Sequence, residues 1–96
     1  MFIISLTYQK PLEEIDAHLS KHVEFLKSHY AKGIFLASGR KNPRTGGIIL
    51  ALASNKAEIE AIIALDPFYI HGVAQYEITE FIASMTSPHV EFLANK

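Results

Sequence analysis

The chain has 96 residues, a formal net charge of −1, five histidines and no cysteine. That is one domain's worth of polypeptide, with neither a disulfide framework nor thiolate chemistry open to it. The balanced charge argues against a nucleic-acid surface, which carries a basic excess, and no apolar run approaches the roughly 20 residues of a membrane span. The first residues lack the basic segment and small-residue cleavage site of a signal peptide. A cytoplasmic protein that meets neither nucleic acid nor membrane is therefore expected.

Residues 2–8 read as a strand with Phe2, Ile4, Leu6 and Tyr8 on one face and Ile3, Ser5 and Thr7 on the other. Pro11 suits the first turn of a helix. The helix then carries Leu12, Ile15, Leu19, Val23, Leu26 and Tyr30 at spacings of three and four, and Gly33 closes it. Ile34 to Ala37 reads as a second strand, residues 38–47 as a turn with three cations, and Ile48 to Ala53 as a third strand. Asn55 caps a second helix, with Glu58 completing a capping-box signature. Its apolar residues are Ile59, Ile62, Ile63 and Leu65, and it should stop at Asp66, which precedes Pro67. Phe68 to Gly72 is expected to be an irregular turn, Val73 to Ile82 the last strand, and His89 to Ala94 a short terminal helix behind Ser87-Pro88.

Elements in the order βαββαβ fit an antiparallel sheet with both helices on one face. A sheet bare on its other face should alternate apolar and polar residues. The third strand does not: Ile48, Leu50 and Leu52 point one way, Ile49, Ala51 and Ala53 the other. Both faces need cover, from a second copy of the sheet in an isologous homodimer or from the C-terminal segment folded back.

Among residues able to carry chemistry, His22 stands out. It sits between Leu19 and Leu26, about 60° from the centre of the apolar stripe. There it can be half-desolvated and reach a cleft, or simply bond a backbone carbonyl. His18 and His22 stand at i, i+4, a spacing that can share a metal; but Leu19 follows His18 where a zinc protease has glutamate, so solvated histidines on an exposed flank, His29 included, are expected. Asp66 at a helix C-terminus opposes the helix dipole unless it bonds to something. It is either a turn-forming Asp-Pro or the acid that orients a histidine. Arg40, Lys41 and Arg44 beside Gly46-Gly47 offer cations to an anion, without matching a phosphate-loop spacing.

Several of these residues fall into one pattern. The run His22-Val23-Glu24-Phe25-Leu26, Gly33, Ser38-Gly39 and Asp66-Pro67-Phe68, in this order and spacing, resembles the YCII-related (YciI-like) family from the first strand to about Phe81. The resemblance implies a single domain over residues 1–96, with 83–96 a C-terminal extension. It implies a ferredoxin-like fold whose sheets pair into a dimeric α+β barrel, a homodimer or larger assembly. It also implies a catalytic pair, His22 and Asp66, with Ser38 as a third member and Gly39 and Arg40 at the ligand. No cofactor or metal is implied. The implied activity is acid/base chemistry of the lyase, isomerase or dehydrochlorinase kind on a compact cyclic or aromatic molecule. The alternative is a non-catalytic ligand-binding or stress-related dimer. The chain departs from the family pattern at Leu19, often arginine there, and at Arg40, often proline.

Overall fold

The computed structural model describes residues 1–96. Strand β1 (Phe2–Tyr8) is followed by helix α1 (Leu12–Ala31), strands β2 (Phe35–Arg40) and β3 (Gly46–Ala51), helices α2 (Lys56–Ile63) and α3 (Pro67–Ile70), and strand β4 (Ala74–Glu80). The sheet order is β2-β3-β1-β4 with every neighbour antiparallel, an α+β arrangement consistent with a ferredoxin-like fold. No helix is long and apolar enough to cross a membrane.

Opposed residues of an antiparallel pair share a face, so the register fixes the core. Ile4 lies opposite Ile49 and Ile78. Phe2, Ile4, Leu6, Ile49 and Ala51 are all buried, in one cluster with Ile15 and Phe25 of α1 and Ile59 and Ile63 of α2. Each fully buried isoleucine contributes about 1.5–3 kcal/mol. The other face divides in two. Ile3, opposite Leu50, and Ile48, opposite Ser5, give β1 and β3 a half-buried apolar strip, whereas β4 presents the exposed Gln75, Glu77 and Thr79.

The ends of α1 follow local rules. Pro11 is the residue just before the first turn, φ −57° and ψ 151°. At the other end Gly33, at φ +73°, takes the left-handed conformation that favours glycine. Its N–H donates to the Tyr30 carbonyl at 3.0 Å and the Ile34 N–H to that of His29 at 3.1 Å, the paired closure of a Schellman motif. On α2, Asn55 accepts from the Glu58 N–H at 2.9 Å, while the Glu58 carboxylate reaches back to the Ser54 N–H at 3.0 Å.

Several sequence expectations need correction. The buried line of α1 runs through Ile15, His22, Phe25 and His29, with Leu12, Val23 and Tyr30 at an exposed rim. The leucines mark a wide apolar arc, and the sheet meets its other edge. Residues 38–40 belong to β2, because β3 continues the ladder opposite them (Ser38 to Ile49, Arg40 to Gly47); β3 accordingly spans Gly46–Ala51 and the loop shrinks to residues 41–45. Helix α2 ends at Ile63, leaving Leu65 exposed, and Phe68 lies in a helical turn, α3, instead of an irregular one. The C-terminal segment forms a 3₁₀ turn, Pro88–Leu93, and its Asn95 N–H donates to the Ala83 carbonyl at 2.8 Å. It leaves Ile82, Met85 and Phe92 exposed.

Candidate active site

His22 and Asp66, 44 residues apart in sequence, meet in the structure. His22 Nδ1 lies 2.8 Å from Asp66 Oδ1, with Asp66 wholly buried and His22 8% exposed. Asp66 does not oppose a helix dipole. It is the N-cap of α3, where its Oδ1 accepts the Phe68 N–H at 3.0 Å. Its other oxygen, Oδ2, accepts the hydroxyl of Tyr76 on β4. A buried carboxylate needs such partners, and Asp66 has three. Burial, then the Asp66 charge, then that hydrogen bond hold the Tyr76 phenol well above its ordinary pKa, so Tyr76 stays an O–H donor.

With the Asp66 carboxylate accepting from the Phe68 N–H and the Tyr76 hydroxyl, and itself only an acceptor, Nδ1 supplies the third proton. The neutral imidazole then carries its lone pair on Nε2. The ring is held flat against Phe68, centroids 4.0 Å apart and planes 5° from parallel. A carboxylate behind one nitrogen and a lone pair on the other form an arrangement in which Nε2 can accept a proton.

His22 lines a cleft of about 170 Å³ between α1, the β1–β3–β2 part of the sheet and the start of α3. Ser38, Gly39 and Arg40 line it too, so every candidate but Asp66 reaches one cavity, and Asp66 stands behind His22. A bulge in β2 produces this. The register shifts between Phe35 and Ala37, so Phe35 faces the core, Ala37 and Gly39 fall on the open face, and Ser38 and Arg40 return to the helix side. Bulges commonly re-aim side chains in this way. The Ser38 hydroxyl is hydrogen-bonded to the hydroxyl of Tyr30.

The loop after β2 adds a cation from above. Arg44 Nη2 donates to Asp16 Oδ1 on α1 at 2.7 Å, a bond that raises the arginine's pKa further, and the guanidinium lies 5.9 Å from the Tyr8 ring centre. Gly46 lets the loop rejoin the sheet this closely: a Cβ there would stand 1.8 Å from the Leu6 carbonyl oxygen. Lys41 turns elsewhere, to Thr7 on the open face.

The other flank histidines of α1 are not fully solvated: His29 is buried and His18 half-buried. His29 Nδ1 lies 2.9 Å from the Phe25 carbonyl oxygen, and His18 stacks on His71, centroids 4.0 Å apart. No three His, Cys, Asp or Glu side chains gather as a metal cage. Sequence reasoning missed Tyr76, although an inward-facing tyrosine between Ala74 and Ile78 needs a partner for its hydroxyl. It also missed Phe68 as the platform under the imidazole.

A buried, three-fold supported His–Asp pair opening on a small cleft beside an antiparallel sheet defines the class: a small α+β protein with the parts of an acid/base site. The chain belongs to the YCII-related family, whose domain matches residues 1–82. Among curated proteins none matches it. Among solved structures it is similar to 5-chloro-2-hydroxyhydroquinone dehydrochlorinase from Burkholderia phenoliruptrix, in complex with 2,5-dihydroxybenzoquinone. The TM-score is 0.71 at 16% identity, over 93% of this chain and 98% of that one. At this identity the likeness is one of fold.

Proposed function

We propose that this protein is a small-molecule enzyme, with His22 the general acid/base, Asp66 its orienting partner and a compact cyclic or aromatic molecule its substrate. The observation that carries this reading is the His22 ring, bonded at Nδ1 to a saturated buried carboxylate while lining a cleft. His22 Nε2 takes a proton from the substrate. In an isomerisation it returns that proton to another substrate atom; in an elimination the proton is lost with the leaving group, as in a dehydrochlorination. In this proposal the Ser38 hydroxyl and Arg40, which line the same cleft beside Gly39, donate to developing negative charge. The family and the fold shared with a dehydrochlorinase support a small-molecule enzyme, and the dehydrochlorinase is the model for the lyase or isomerase chemistry proposed.

Chloride release from 5-chloro-2-hydroxyhydroquinone, and proton exchange from related ring compounds, tests the reading against His22→Gln, which keeps a donor towards Asp66. A rate unaffected by His22→Gln sinks it. Ligand binding without turnover across such a panel favours the non-catalytic binding module.

The working form in this proposal is a homodimer, with Ile3, Ile48 and Leu50 of the open face covered by the same strip of a second chain; residues 83–96 extend the one domain. Sedimentation at micromolar concentration should return about twice the mass of one chain, and Leu50→Lys, which buries a charge in such an interface, should return the monomer. A wild-type monomer rejects the dimer.

A further inference from the structure

The cleft is charged on one side only. Arg40 and Arg44 line it, and no acidic side chain does. Of the nearest carboxylates, Asp66 is saturated by its three donors and Asp16 is taken by Arg44 Nη2. Arg40 has no ion pair. Arg44 is incompletely satisfied: its Nε is buried and has no acceptor, although a buried donor without a partner is costly and a charged one more so. Asp16 fixes this guanidinium at one end and Tyr8 underlies it, so a preset cation stands in the wall of the cleft. Size adds a second constraint. A cavity of about 150 Å³ accommodates benzene, so the 170 Å³ here accommodates one six-membered ring.

We infer that the molecule taken by this cleft is a single-ring anion, and that the Arg44 guanidinium donates to its carboxylate or ring oxyanion. The inference rests on the acid/base reading of the same cleft and adds where the substrate is gripped. Arg44 and His22 do not touch. Tyr8 and Phe68, rings 6.1 Å apart, stand between them, with Phe68 against His22 and Tyr8 under Arg44. The anionic group and the proton-transfer position are therefore separate parts of one ring compound, and an anion held away from His22 leaves Nε2 free to act.

Titration of wild type, Arg44→Met and Arg44→Lys with benzoate, 2,5-dihydroxybenzoquinone and neutral benzamide tests this, read by the arginine Nε–H and imidazole NMR signals. At least one anion should bind roughly ten- to a hundredfold more tightly than benzamide, the range of a charge-assisted hydrogen bond, and displace the Arg44 Nε–H signal. Benzoate shows the carboxylate to be the recognised group, 2,5-dihydroxybenzoquinone the ring oxyanion. Both substitutions should bring the preference to within about threefold, because lysine restores charge but not a fixed planar donor; Tm values matching wild type exclude a folding defect. Equal binding of benzamide, no binding of any probe, or full preference in Arg44→Lys each overturns the inference. Failure of the acid/base reading looks different: anion preference then survives in wild type, but no ring compound is turned over.

Discussion

Helix α1 buries two histidines about two turns apart, and they lie in opposite kinds of surroundings. His29 bonds the carbonyl of Phe25 on its own helix, between the rings of Phe25 and Phe35 at 4.7 and 5.0 Å. His22 bonds a carboxylate carried by another element and lines a cleft. Burial is similar, 4% against 8% exposed. A local backbone partner fixes a ring and ends there. A remote carboxylate fixes a ring and also leaves the lone pair on its other nitrogen, because it can only accept from the first. His29 thus has the surroundings of a structural ring, whereas those of His22 are the ones on which its proposed role rests.

The sharpest way to break this comparison is to replace each ring in turn. His22→Gln should lower turnover by about 10²–10⁴-fold, the usual contribution of a positioned acid/base, whereas His29→Gln should leave kcat within about twofold and lower only Tm, the signature of a purely structural role. Equal rate losses from the two would erase the distinction. Asp66→Asn comes next, at about 1.5–3 kcal/mol of stability, since it replaces hydrogen bonds to a charged acceptor by neutral ones. Ring ¹⁵N shifts should show His22 losing its Nδ1–H preference while His29 keeps its own; an unchanged tautomer would place the control elsewhere.

Tyr76→Phe is milder, about 1.5 kcal/mol for one hydrogen bond to a charged acceptor, and it carries a pH signature. The Tyr76 pKa is raised in the folded state, so above about pH 10, the ordinary tyrosine value, the unfolded chain loses a proton that the native one keeps. Stability from this group is complete below that pH and falls above it. Denaturation midpoints from pH 8 to 11 should therefore fall more steeply for wild type than for Tyr76→Phe. Parallel curves would mean that Tyr76 does not hold its proton against Asp66.

Elements whose boundaries depend on neighbours in the chain were legible in the sequence: β1 from its alternation, the Gly33 closure of α1, and the Asn55 cap with its Glu58 return. So was the His22–Asp66 pair, though only through the family pattern; periodicity set His22 at the edge of the helix stripe, whereas the sheet meets α1 along the line of His22, Phe25 and His29. Asp66 was misjudged for a related reason. An Asp-Pro after a helix reads as that helix's end, and nothing local shows that Pro67 opens another turn for which Asp66 is the cap.

By itself the sequence determined the order of elements, the apolar face of the sheet and the residues able to move a proton, because periodicity, caps and side-chain chemistry act over a few residues. The tertiary structure decided what those residues can do together. Pairing with β3 put a bulge into β2 and turned Ser38 and Arg40 into the cleft. The return of β4 beside β1 set Tyr76 against Asp66, and the β2–β3 loop bound Arg44 to Asp16. Each depends on register or burial between segments far apart in the chain, and no local pattern encodes such a distance.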